Sequence, residues 1–97
     1  MTVEAYVAKA LELKASDIHL VRGLTPRCRV DGSIREMENL PLTEADCLTV
    51  AKELAGDNFD QAEAVGEADL ALTVAGVRCR VNLFRQQGAW STALRLL

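Results

Sequence analysis

The chain has 97 residues, 49% of them hydrophobic and 26% charged, which fits one globular domain and leaves no room for a second. Its formal net charge is −3, which excludes the overall positive field of a nucleic-acid-binding protein and confines any anion site to a local patch. No apolar run is long enough to span a membrane. Three widely separated cysteines without metal-site spacing indicate buried, reduced thiols and no metal site.

The first half of the chain predicts one helix and three short strands. Apolar residues at spacings of three and four predict a helix over 2–14, ended by Ser16-Asp17. The next run, Ile18–Arg22, alternates as a strand, and a second strand starts near Pro26. Asp31-Gly32 favours a type I′ turn, which returns the chain in a third strand over Ser33–Met37.

The second half predicts two helices and three strands. Thr43 and Asp46 form a candidate capping box before a helix over 44–55, which Gly56 ends. Asp57 is expected to cap a further short helix that reaches about Ala64. From Glu67 the period falls to two, so strands follow, with Ala75-Gly76 as a turn before 77–86 and 89–97. The element order is α-βββ-αα-βββ, an α+β domain with an antiparallel sheet of about six strands.

The last hairpin predicts an unusual pair of arginines. If Gln87-Gly88 is a two-residue turn, residues whose numbers sum to 175 face each other, and Arg80 then faces Arg95. Arg78 lies on the same face. Like charges directly opposite each other destabilise a sheet, whereas guanidinium groups suit a phosphate or carboxylate that neutralises them. Two alternatives stay open: each arginine pairs with a surface Asp or Glu, or a longer loop shifts the pairing.

Two separated stretches resemble a known family. "ASDIHLVRGLTPRCRVDGSIREMENLPLT" resembles the opening of the type IV pilus twitching-motility ATPases, which belong to the type II/IV secretion ATPase superfamily. "RCRVNLFRQQGAWSTALRLL" resembles the end of the same domain, and together the stretches extend the resemblance over essentially all 97 residues. The resemblance implies a PAS-like fold, a curved antiparallel sheet with helices packed against it.

The resemblance also implies what the domain does. No phosphate-loop motif G-x-x-x-x-G-K-[ST] occurs at any of the six glycines, so residues 1–97 are expected to be an isolated N-terminal domain, without the RecA-like ATPase domain that follows in the family. In the family six subunits form a ring, and each N-terminal domain packs on the neighbouring subunit. Its arginines reach the nucleotide phosphates, and by motif these are Arg80 and Arg95, with Arg78 as a third candidate.

Cofactors, partners and location follow from the same resemblance. The full-length protein is expected to use ATP with magnesium, and the domain alone to bind neither and to catalyse nothing. Its partners are expected to be the other subunits of a homohexamer and the inner-membrane platform proteins of a pilus or secretion system. The location is then the cytoplasm, at the inner face of the cell membrane.

Two functions other than that of a pilus-retraction domain stay open. The first is the N-terminal domain of a pilus-extension or type II secretion ATPase. Val81-Asn82 resembles the pilus-retraction motors, whereas the ending Leu94–Leu97 leans towards the extension and type II secretion motors. A stand-alone PAS-like module for a small ligand is the second alternative, although four aromatic residues and one histidine are few for such a pocket.

Several other residues have ordinary structural interpretations. His19, the only histidine, has no nucleophile beside it in the sequence and is interpreted as a structural residue, and Asp17 as one that orders the preceding turn. Trp90 is predicted to lie opposite Arg85, an arrangement compatible with cation–π packing. The acidic stretch Asp57–Asp69 is interpreted as a solvated face.

Overall fold

Alternating side chains along six strands build one antiparallel sheet, which has helices on one face. A computed structural model describes all 97 residues and confirms the predicted α+β order. The elements are α1 (Val3–Glu12), β1 (Asp17–Leu20), β2 (Arg27–Val30), β3 (Ser33–Glu36), α2 (Glu44–Ala55), a 3-10 turn (Gly56–Asn58), α3 (Phe59–Val65), β4 (Glu67–Val74), β5 (Val77–Gln86) and β6 (Ala89–Leu96).

The sheet is two three-stranded units joined in the middle. Its strand order is β3-β2-β1-β6-β5-β4, and every neighbouring pair is antiparallel. The joint is the pairing of β1 with β6, where Ile18 lies opposite Leu94. These two strands are far apart in the chain, so the centre of the sheet forms only when the two halves of the domain meet.

All three hairpins use two-residue turns in which both residues have positive φ. The φ angles are 49° and 79° in Asp31-Gly32, 50° and 77° in Ala75-Gly76, and 52° and 80° in Gln87-Gly88. Positive φ at both positions is the requirement of a type I′ turn, whose twist matches that of the strands. The three predicted hairpins are therefore confirmed.

One hydrophobic core lies between the helices and the sheet. It contains 24 buried residues, among them the apolar stripes of the helices and the inward-facing side chains of the strands. Trp90 is 3% exposed and packs its ring 5.7 Å from that of Phe59. Trp90 lies opposite Arg85, as predicted, and the Arg85 guanidinium is 5.7 Å from the centre of its ring, within the range of a cation–π contact. All three cysteines are buried and free, as expected.

Helix α2 has the predicted capping box. The Thr43 hydroxyl accepts a hydrogen bond from the Asp46 N–H at 3.0 Å, and the Asp46 carboxylate accepts one from the Thr43 N–H at 2.9 Å. Gly56 follows the last helical residue, as predicted. None of the three helices has the length and the apolar character needed to cross a lipid bilayer.

Several element boundaries differ from the predictions, and three of the differences concern more than one residue. Helix α1 ends before Ser16-Asp17, because Lys14 takes a φ of 60° and turns the chain there. Asp57 does not cap α3, since it lies within the 3-10 turn that joins α2 to α3, and the Phe59 N–H bonds to the Gly56 carbonyl. Strand β1 ends at Leu20, two residues early, and Arg22 forms an isolated bridge instead.

Candidate functional site

The last two strands bring Arg80 and Arg95 together on the sheet face that the helices leave open. The observed register of β5 and β6 pairs Arg80 with Arg95 and Val81 with Leu94, as the sum of 175 predicts. Leu94 and Val81 are at most 1% exposed and face the core. Because side chains alternate along a strand, both arginines point to the opposite, exposed face.

A carboxylate and a further arginine continue this line across the sheet. Asp17 on β1 is the register partner of Arg95, and Arg29 on β2 is the register partner of Asp17. The order across four adjacent strands is therefore Arg29, Asp17, Arg95, Arg80, and we call these four residues the charged row. It contains three positive charges and one negative charge.

Contacts within the charged row are unequal. The Arg95 Nε donates a hydrogen bond of 3.3 Å to Asp17 Oδ1, whereas the Arg29 Nε lies 4.0 Å from Asp17 Oδ2. Arg80 takes part in no ion pair and no side-chain hydrogen bond of the chain. The alternative in which every arginine pairs with an acidic residue therefore holds for Arg95, which pairs with Asp17, but not for Arg80, which has no acidic partner.

Asp17 is the least exposed member of the ion pairs in the row. Its side chain is 16% exposed, against 70% for Arg95 and 44% for Arg29. Burial raises the pKa of the Asp17 carboxyl, but the hydrogen bonds from Ser16 and Arg95 and the positive charge of Arg95 outweigh burial, so its pKa lies below the usual range. The Ser16 bond is 2.6 Å long. Asp17 is therefore held as a carboxylate.

Beside the charged row lies an open groove of about 280 Å³. The residues that line it are Asp17, His19, Asp69, Arg80, Asn82, Ala93, Leu94 and Arg95. On its far side the Asn82 amide donates a hydrogen bond of 3.2 Å to Asp69 Oδ1. The groove thus has guanidinium groups on one side and an amide–carboxylate pair on the other.

Two other residues considered from the sequence, Arg78 and His19, are less well placed to bind an anion. Arg78 lies on the same face as Arg80 but outside the groove, and it donates to the Thr73 hydroxyl at 3.3 Å. His19 lies in the groove opposite Ala93 and makes no side-chain hydrogen bond within the chain. No group of three or more His, Cys, Asp or Glu side chains that could hold a metal ion occurs in the chain.

The chemistry that this surface supports is the binding of an anion with several oxygens. Each guanidinium presents a planar fork of N–H donors, which matches the geometry of phosphate. Two such groups on directly opposed positions repel each other, and a phosphate between them removes that repulsion. The surface has no paired nucleophile and base.

Sequence reasoning missed the roles of Asp17 and Arg29. Asp17 lies 78 positions from Arg95 in the chain, and only the pairing of β1 with β6 makes them neighbours. The motif Ser16-Asp17 drew attention to Asp17, but as a turn residue. The local pattern carries no signal of the contact, because nothing in it specifies which strand lies beside β1.

Fold and surface together define the class of this molecule: an α+β domain whose uncovered sheet face carries a row of arginines. No family model matches the chain. The type IV pilus retraction ATPase PilT of Pseudomonas aeruginosa is 31% identical over 99 residues, a match that covers 100% of this chain and 29% of PilT.

Solved structures agree with that match. The pilus retraction motor PilT with bound ADP superposes with a TM-score of 0.85 at 33% identity, over 98% of this chain and 29% of that one. The ATPase DotB of Legionella pneumophila gives a TM-score of 0.80 at 22% identity, over 100% of this chain and 29% of DotB. DotB of Yersinia pseudotuberculosis gives a TM-score of 0.75 at 20% identity, over 97% of this chain and 29% of that one. The two DotB matches show the fold alone.

The chain is therefore homologous to PilT and matches its N-terminal domain, and it shares its fold with DotB. The predicted resemblance is confirmed. The chain spans less than a third of the length of each of these relatives.

Proposed function

We propose that this chain is the N-terminal regulatory and assembly domain of a hexameric pilus-retraction motor ATPase, and that it supplies Arg80 and Arg95 to the phosphates of a nucleotide. The observation that carries the proposal is the placement of these two arginines, which are register partners on the open face of the sheet. Arg80 has no acidic partner within the chain.

Electrostatics support this role. A domain with a net charge of −3 nevertheless holds three arginines and a single carboxylate in one row. An arginine that reaches the charge developing on a transferred phosphoryl group accelerates the reaction by roughly 10³- to 10⁵-fold in known cases. Arg80 and Arg95 are the candidates for that contribution, and Arg78 shapes the field beside them.

The rest of the nucleotide site lies elsewhere. The relative with bound ADP is a nucleotide-binding protein, and this chain matches 29% of it. We propose that ATP and magnesium are held by a RecA-like ATPase domain of the full-length protein, where magnesium neutralises phosphate charge. This chain contributes donors from one side and holds no nucleotide tightly when alone.

Assembly and location belong to the same proposal. The domain packs on the ATPase domain of the neighbouring subunit in a homohexamer, on the cytoplasmic side of the inner membrane, next to the platform proteins of a pilus system. The match to PilT at 31% identity supports the retraction branch over the extension and type II secretion branches.

A pair of substitutions tests the role of the arginines in a protein that carries this domain together with its ATPase domain. We expect Arg80→Ala and Arg95→Ala each to lower ATP turnover at least tenfold, while the melting temperature stays within a few degrees, because exposed arginines contribute little to stability. Turnover by a coupled phosphate-release assay and melting by circular dichroism are the two measurements.

The matched control is Arg35→Ala. Arg35 is exposed and forms no ion pair, but it is the register partner of the buried Cys28 and so lies on the helix-bearing side of the sheet. We expect full turnover in this variant. Equal losses in Arg35→Ala and Arg80→Ala, or full activity in both, would contradict the proposed role.

A further inference from the structure

Asp17 is the one acidic residue of the charged row, and the proposed function assigns no role to it. It separates Arg29 from Arg95 in the register and lies within reach of both. Its carboxylate takes the hydrogen bond that the Arg95 Nε would otherwise offer to a phosphate oxygen. A carboxylate in this place competes with any anion that uses Arg95.

We propose that Asp17 competes with the phosphate for Arg95. It binds Arg95 while the site is free, and it pairs with Arg29 instead when a phosphate binds Arg95. The inference rests on the proposed function. It assigns Asp17 as a positioning residue that sets how tightly the arginine pair binds an anion.

Distances make the transfer short. The Arg29 Nε is already 4.0 Å from Asp17 Oδ2, so contraction by about 1 Å gives a direct hydrogen bond. The Ser16 hydroxyl stays on the same Oδ2 oxygen at 2.6 Å throughout. The oxygen released by Arg95 is Oδ1, and the other oxygen keeps its partners.

Burial explains why a second arginine is needed. With its side chain only 16% exposed, the Asp17 carboxylate is costly to leave without a counter-charge. Arg29 supplies that charge, so the Asp17 carboxylate still has a positive partner after it loses the Arg95 contact. Arg95, at 70% exposed, moves into solvent or onto an anion at little cost.

The competitor also limits repulsion within the free domain. Arg80 and Arg95 are direct register partners, which is an unfavourable position for two positive charges. Asp17 draws the Arg95 head towards β1, away from Arg80. A phosphate replaces this arrangement by one in which both heads bind the same anion.

The test compares variants of this chain in titrations with pyrophosphate, without magnesium and at low ionic strength, followed by NMR of the backbone and arginine Nε–H groups. We expect Asp17→Asn to tighten pyrophosphate binding about threefold, which is the size expected for the removal of one partly exposed ion pair. The amide keeps the size of the carboxylate and an oxygen acceptor for Ser16. Unfolding curves check that the variant is folded.

Asp69→Asn is the matched control. Asp69 lines the same groove and carries the same charge, but it accepts a hydrogen bond from Asn82 and forms no ion pair with an arginine of the row. We expect it to change the affinity by less than half of the Asp17→Asn effect. Equal tightening by the two variants would mean that net charge alone acts, and it would overturn the inference.

The arginine variants separate this inference from the proposed function. If Arg80→Ala and Arg95→Ala weaken binding while Asp17→Asn does not tighten it, the phosphate site stands and the competitor role is refuted. If pyrophosphate binds but neither arginine variant weakens the binding, the proposed function fails and the inference fails with it. If no variant binds pyrophosphate at all, the inference is overturned, because Asp17→Asn then produces no tightening, whereas the proposed function, in which the chain alone holds no nucleotide tightly, is left to the turnover assay. We expect Arg29→Ala to weaken pyrophosphate binding less in the Asp17→Asn variant than in the unmodified chain. The reason is that the variant has no carboxylate at position 17 for Arg29 to pair with.

Discussion

Two consecutive residues of β6 provide a sharp test of how the sheet is oriented. Leu94 is 1% exposed, faces the helices, and lies between Ile18 on one neighbouring strand and Val81 on the other. Arg95, the next residue, points to the open face, where it is 70% exposed. Truncation of these two side chains to alanine should therefore have very different effects on the free energy of unfolding.

The magnitudes follow from what each side chain contacts. A buried Leu→Ala change costs the transfer free energy of the lost methyl groups and leaves a cavity, together about 3 kcal/mol at a site in the centre of a core. In a domain of this size 1 kcal/mol corresponds to about 4–8 °C in melting temperature, so Leu94→Ala is expected to lower it by roughly 12–24 °C. Arg95→Ala removes one partly exposed ion pair but leaves Arg29 beside Asp17, and it is expected to change stability by less than about 1 kcal/mol.

Urea unfolding followed by far-ultraviolet circular dichroism measures both variants against the unmodified chain. We expect a large fall of the midpoint in Leu94→Ala and a midpoint within experimental scatter in Arg95→Ala, with unchanged slopes. The reverse order of effects would mean that β6 pairs one residue out of the observed register, since such a slip exchanges the two faces. Arg95 would then point into the core while Arg80 stayed on the open face, and the arginine pair of the candidate site would not exist.

Two further predictions concern charge and backbone conformation. Because the pKa of the Asp17 carboxyl is lower in the folded than in an unfolded chain, its ionised form stabilises the fold above the unfolded pKa of about 4, and this contribution is lost as the pH falls through the folded value. We therefore expect Asp17→Asn to weaken the fall of the urea midpoint below about pH 4, and an unchanged acid profile would refute the ion pair. Gln87 has a φ of 52°, which asparagine tolerates better than glutamine, so Gln87→Asn is expected to raise the free energy of unfolding by about 0.5 kcal/mol. A loss of stability in that variant would show that the hairpin does not have the described turn.

Local rules explain how much of this molecule was predictable. Asp31-Gly32 specifies a tight turn because aspartate and glycine both accept the positive φ of a type I′ turn, and in Gln87-Gly88 the glycine gives the same local signal. Once the last turn is known, the alternation of β5 and β6 places Arg80 opposite Arg95 with no further information. Thr43 marks the start of α2 for a similarly local reason, the reciprocal hydrogen bonds with Asp46.

Element ends were harder to predict because competing local bonds decide them. The left-handed Lys14 ends α1 before the expected stop, although lysine gives no advance signal of that conformation. The 3-10 turn after Gly56 joins the two helices through backbone bonds, so the capping role expected of Asp57 has no place.

The sequence by itself predicted the hairpins, the helices and, on the condition of a two-residue turn at Gln87-Gly88, the arginine pair, since all of these depend on residues that are close together in the chain. It could not determine that Asp17 meets Arg95 and Arg29, because the contact depends on β1 entering the sheet beside β6. That choice is made by the burial of Ile18 and Leu94 in the same hydrophobic core, a gain that exists only when the whole core assembles. The tertiary structure therefore decided the electrostatics of the candidate site: a carboxylate from the start of the chain stands between arginines from its middle and its end.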